Sequence, residues 1–216
     1  MKILHTEATL LLKTLFKLER CGRYDEALAE LNGIWEDTET LPNVEEFEPR
    51  IAAEIILRCG SLIGFLGHNK QISNSQEASK NLLTKARHRF LDIDDVEKIA
   101  ECENYLARGY WQTGELVEAK TWIEESLSHN LPNSSLTRLY SYIIESKIDF
   151  ANSKYEKILQ NFAKLQDDFL KYADNCLKGD FYNHSGLALK NLGNPTEALN
   201  RLELARHYHQ KAKHQI

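Results

Sequence analysis

The sequence predicts an all-α chain built from about five helix–turn–helix pairs. Three observations carry this expectation. Apolar residues recur at three- and four-residue spacing through most of the 216 residues, and no stretch alternates with period two for long enough to make a sheet. Only 4 prolines and 10 glycines interrupt the chain, so helices can form nearly everywhere. One short corner pattern also returns along the chain, and such self-similarity is the mark of a repeat architecture.

The corner is clearest in residues 103 to 127, ENYLARGYWQTGELVEAKTWIEESL. Leu106, Ala107 and Tyr110 share a helical face before Thr113-Gly114. Ala119, Ile123 and Leu127 share one after it. The small residues Ala107 and Ala119 fall where two such helices approach most closely. Residues 8 to 37 repeat the plan. Leu11, Leu15 and Leu18 form one stripe, Gly22 ends the helix, and Asp25-Glu26 suit the start of the next. Ala27, Leu31 and Ile34 form the second stripe.

The remaining pairs follow in order. Residues 50 to 66 make a first helix with Gly60 at the small contact position. GHNKQISN then reads as a long loop, and Ser75 to Phe90 as the second helix. Asp94 with Glu97 gives a capping-box-like start to the third pair. The cluster NLPNSS at 130–135 is a turn, and helices over 135–150 and 153–170 follow it. There Ser153, Tyr155 and Ile158 replace the corner residues. In the last pair Asn194 caps, Pro195 takes the first helical position, and Glu197 sits in the first turn. The pairs are placed at about 4–37, 50–91, 96–130, 135–170 and 177–213, in one domain spanning 1–216. Thr38 to Pro49, with two prolines and several acids, is a link.

The set Gly22, Tyr24, Glu26 and Ala27 resembles the corner of a tetratricopeptide repeat, and so do Gly114, Leu116, Glu118 and Ala119. Gly193, Pro195, Glu197 and Ala198 give a third copy. The corners lie near residues 22, 67, 114, 153 and 193, longer separations than the shortest repeat of the family. In length the repeats resemble those of bacterial regulatory proteins and of peptide-binding quorum-sensing receptors. The resemblance implies a right-handed α-α superhelix, a solenoid whose first helices line a concave groove. It further implies a protein- or peptide-binding scaffold, the interaction or sensory module of a bacterial regulator. A structural self-assembly module and a non-catalytic subunit of an enzyme complex are the alternatives.

Family ligands are held by polar side chains on the inner face of the first helices. Carried onto this chain, that position gives Lys13 in the first pair, Arg58 and Ser61 in the second, Asn104, Arg108 and Trp111 in the third, and Asn183 and Lys190 in the fifth. Asparagine both donates to and accepts from a peptide backbone, and arginine clamps a carboxylate with two parallel bonds.

The chain shows no phosphate loop, no HExxH and no GxSxG, so no enzyme activity and no cofactor is expected. Carboxylate runs at Asp37 to Glu39, Glu45-Glu46 and Asp167-Asp168 read as solvated faces. His207, His209 and His214 cluster near the end without a metal being expected. Cys21, Cys59, Cys102 and Cys176 form no CxxC pair and read as free thiols. A net charge of −5 argues against nucleic acid as the partner. The apolar runs look too short to cross a membrane, and the N-terminus does not look like a signal peptide, so no membrane partner and a cytoplasmic location are expected. The final helix carries an apolar stripe, Leu199, Leu202, Ala205 and Tyr208, with no following neighbour. A longer repeat array, a homodimer through this end, or a helix polar enough to end the stack would each account for it. The first of these is the expectation.

Overall fold

The structure, a computed structural model, describes residues 5–20, 22–35 and 40–213. Cys21, Asp37 to Glu39 and His214 lie outside the described residues. Among the described residues every regular element is an α-helix. In chain order these are α1 (His5–Arg20), α2 (Tyr24–Glu30), α3 (Pro49–Lys70), α4 (Ser75–Leu91) and α5 (Val96–Thr113). Then follow α6 (Leu116–Ser128), α7 (Leu136–Ala151), α8 (Tyr155–Tyr172), α9 (Asn175–Asn191) and α10 (Pro195–Lys213). Of the expected pairs, α1 packs on α2, α3 on α4, α7 on α8 and α9 on α10.

One hydrogen bond unites the five corners. The amide five residues on donates back into the last turn of the first helix: Arg23 to Leu18, Ile72 to Gly67, Glu115 to Tyr110, Lys154 to Asp149 and Asn194 to Leu189, at 2.9–3.0 Å. This closure requires a left-handed residue just past the helix. Gly22, Gly114 and Gly193 supply it with φ of 70°, 83° and 78°. Gln71 and Ser153 adopt it without glycine, at 55° and 57°. The corner geometry therefore outlasts the corner sequence.

The helices gather into two compact units, Met1–Glu115 and Leu116–Ile216. In the first, α3 is central and packs on α1, α2, α4 and α5. Every residue from Ile51 to Gly64 is buried. Gly60, Gly64 and Gly67 form a side-chain-free stripe against α4. A Cβ at Gly60 would lie 3.0 Å from Leu83 Cγ, and one at Gly67 would overlap Ser75 Oγ and Cβ. Three glycines cost helix propensity, about 1 kcal/mol each. The close approach they permit lets α4 bury Leu82, Leu83, Ala86 and Phe90.

In the second unit α8 joins α7 and α9, and α10 lies along α9. Phe162, Phe169 and Phe181 form its aromatic centre, with ring centroids 4.7–5.9 Å apart. Gly186 again permits close approach, since a Cβ there would meet Leu202 Cγ at 2.9 Å.

Four local expectations are corrected. The first half of the segment GHNKQISN is helix, because α3 runs on to Lys70 before Gln71 turns the chain, and the loop shortens to residues 71–74. The cap of α5 is Asp95, whose carboxylate accepts from Lys98 N, while Asp94 takes a left-handed φ of 54°. Helix α2 stops at Glu30, and Leu31 and Ile34 are buried in the turns that follow. The stripe of the last helix is not buried throughout: Leu199 is 59% exposed, whereas Tyr208 stacks on Tyr182 at 5.6 Å. Helix α3 also revises the membrane reading. With 22 residues and a mean hydropathy of 1.4 it is long and apolar enough to cross a bilayer, yet 83% of that window is buried inside the protein, as in a core helix.

Candidate functional site

Two of the residues expected to line a groove are instead the centre of a buried charge network in the first unit. Arg58 is wholly buried in the middle of α3. Its Nη1 donates to Glu19 Oε2 on α1 at 2.7 Å, and its Nη2 donates to Glu101 Oε1 on α5. Ser61 Oγ donates to the other Glu19 oxygen at 2.8 Å. Lys98 Nζ reaches Glu101 at 2.9 Å and Glu54 at 2.7 Å. Arg50, at the start of α3, closes the chain of charges onto Asp95 at 3.0 Å. Three helices are thus tied together through one guanidinium.

The electrostatics follow from the partners. Burial alone would raise the Glu101 carboxyl, but the charges of Arg58 and Lys98 outweigh it and hold it down at about 2. Burial wins at Glu19, which Arg58 and Ser61 only partly offset, so that carboxyl sits above its usual range. Burial also opposes the charge on Arg58, and the two glutamates overcome it, leaving the guanidinium firmly protonated. A side chain so placed has no surface to offer a ligand. Arg58 and Ser61 are structural couplers between helices, and their expected place in a groove is corrected accordingly.

Arg108 is different. It stands on α5 with its guanidinium 3.2 Å from the centre of the Phe65 ring, half-buried. Phe65 stacks in turn on Tyr24 at 4.5 Å and meets Tyr105 edge-on at 6.2 Å. The Nε of Arg108 is buried without a hydrogen-bond partner, and so is Gln76 Oε1 on α4, whose Nε2 donates to Gly64 O. An aromatic-backed guanidinium of this kind can grip a carboxylate or a carbonyl while its apolar plane stays shielded. Lys13 is exposed on α1 and Trp111 half-buried on α5. Asn104 is fully buried on α5, so its amide is not presented to an incoming peptide.

Asn183 and Lys190 lie in the second unit, both on α9, half-buried and exposed respectively. Beside Asn183, His184 forms a 2.7 Å contact between its Nδ1 and Ser146 Oγ on α7. Ser146 also bonds Ile143 O at 2.7 Å. With that hydroxyl proton committed to the carbonyl, Nδ1–H donates to Ser146 Oγ to complete the contact. Burial first, and then the charges of Lys147 and His209, bring His184 down to about 3.

Sequence reasoning missed Glu19, Glu101, Lys98 and Phe65. A signal for the network was present, because Glu54 and Arg58 interrupt an otherwise apolar run in α3. A charge inside such a run must find an opposite charge. Which partner it finds depends on how α1 and α5 pack, and no spacing in the chain encodes that.

With this geometry in view, the comparisons with known proteins bear on the fold. No family model matches the chain, and no curated protein does. A solved structure does: the crystal structure of Bacillus thuringiensis PlcR in complex with the peptide PapR7 and DNA. The likeness covers 96% of this chain and 72% of that one, with a TM-score of 0.74 and 17% identity. The fold is similar to that of the matched part of PlcR. The all-helical, tetratricopeptide-like architecture expected from the corners is therefore present. The comparison also corrects the exclusion of nucleic acid. PlcR has a similar fold and its structure contains DNA, so this helical architecture does not rule out such a partner.

Proposed function

We propose that this chain is a peptide-binding module of a regulator, with repeats of the elongated tetratricopeptide type. The observation that carries this reading is the likeness to PlcR over 96% of the chain, since that protein's structure holds both a peptide and DNA. In this reading the module works in the cytoplasm by binding and carries no reaction of its own. Arg108, backed by Phe65 and Tyr24, supplies a charge-assisted contact to a peptide carboxylate or carbonyl. Lys13 adds an exposed cation in the same unit.

The test is a selection of short linear peptides on the immobilised protein, followed by calorimetry with the enriched sequence. A bound peptide raises the melting temperature, because ligand at about 100 times Kd stabilises by about 2.7 kcal/mol. Arg108→Ala is expected to weaken the enriched peptide by about tenfold or more, about 1.4 kcal/mol, while the peptide-free protein keeps its helical circular dichroism. Enrichment no better than for scrambled sequences would overturn the reading.

A further inference from the structure

We propose that the first unit carries a second docking surface, at the N-terminal ends of α3 and α5, that takes a cationic segment bearing an apolar side chain. Two hollows adjoin there. One, of about 280 Å³, has an apolar floor of Val44, Phe47, Ala52 and Ile93. The other, of about 610 Å³, is bounded by Val96 and by the chain turning into α3 and α5. Pro49 and Ile93 line both, so the two form a continuous surface. Ile93 and Val96 are 38% and 42% exposed. Both sit where the chain leaves α4 and enters α5, a place where polar residues would satisfy every local requirement of a turn.

Charge decides the occupant. The walls of the two hollows carry five carboxylates, on Glu45, Glu48, Asp92, Asp94 and Asp95, against two guanidiniums, on Arg50 and Arg89. Arg50 is already engaged by Asp95 at 3.0 Å and by Glu54 at 3.5 Å. Asp95 is spent on that pair and on capping α5. Glu45, Asp92 and Asp94 are exposed around the apolar floor. An apolar hollow with an acidic rim selects a leucine- or phenylalanine-sized side chain flanked by lysine or arginine. It repels acidic segments at the same distance. This surface lies on the ends of the helices and involves neither Arg108 nor Phe65, so it stands or falls independently of the peptide site above.

The experiment uses the full chain and a dye-labelled, end-blocked hexapeptide, Lys-Arg-Leu-Phe-Arg-Lys, read by fluorescence anisotropy. Saturable binding is expected, weakening as salt is raised, because exposed charges are screened. A peptide with serine in place of its leucine and phenylalanine is expected to bind about tenfold more weakly or worse, and one with glutamate in place of its basic residues not at all. Ile93→Gln, or the pair Glu45→Gln with Asp94→Asn, is expected to weaken the parent peptide by about tenfold as well. Val96→Gln takes the place of Ile93→Gln should the latter lower the melting temperature. Equal binding of the serine peptide, wild-type affinity in these variants, or no saturable binding would each overturn the proposal. So would a concentration-dependent dimer that Ile93→Gln abolishes, since the occupant would then be a second copy of this chain.

Discussion

Replacing Arg58 with methionine tests whether the buried network is a strut or a liability. The substitution keeps an unbranched apolar stem in a site with no solvent access, and removes only the guanidinium. Glu19 then loses its 2.7 Å partner and Glu101 loses one of its two cations, keeping Lys98 at 2.9 Å. Breaking a buried ion pair from one side costs about 3–5 kcal/mol, because a charge is left without compensation. That is comparable to the whole stability of many domains. Removing all three charges is a different operation. Glu19→Met, Arg58→Met and Glu101→Met together leave no buried orphan, since Lys98 retains Glu54 at 2.7 Å, and the loss shrinks to within about 1–2 kcal/mol of wild type. Urea titration reports both. Trp35 is 3% exposed in the same unit, and a Trp122→Phe background silences the tryptophan of the other unit. The pH dependence has a definite sign. Glu101 is depressed in the folded state, so its contribution is full above about 4.5 and fades as pH falls toward 2. In Arg58→Met the stranded carboxylates take up protons, so the deficit narrows as pH falls from 7 to 4. A single-substitution loss below about 1 kcal/mol, or a triple variant no more stable than the single one, would refute the argument.

Two further outcomes are expected. His184 has its folded value lowered from 6.5 to about 3, so the folded state binds fewer protons than the unfolded one between those values. Its stabilisation is complete above 6.5 and is lost as pH falls, by about 2 kcal/mol at pH 5. Denaturation midpoints measured between pH 7 and 5 should slope in wild type and flatten in His184→Gln; parallel slopes would count against this account. Gly67→Ala places a Cβ into Ser75 Oγ and Cβ, and the latter is fixed to the backbone, so α3 and α4 must separate. The expected cost is about 1–3 kcal/mol by chemical denaturation, despite the better helix propensity of alanine.

The sequence by itself determined the helical class and most corner positions. Those depend on short-range physics. A stripe at Leu11, Leu15 and Leu18 and a glycine at 22 act within a few turns of chain, and Gly114 and Gly193 repeat the device. Local reading already faltered at residues 67–74, where glycine looked like a loop. There the missing side chain serves packing against Ser75, and the helix continues. The site was less legible still. Lys13, Arg108, Trp111, Asn183 and Lys190 keep some surface, whereas Arg58, Ser61 and Asn104 are sealed inside. All eight sit on first helices, and position along one helix does not reveal whether the next helix covers a face or leaves it open. The tertiary structure decided that Arg58 meets Glu19 and Glu101, across 39 and 43 residues of chain. The reason is that burial makes a charge costly unless an opposite charge lies within bonding distance, and only the packing of α1 and α5 on α3 brings one there.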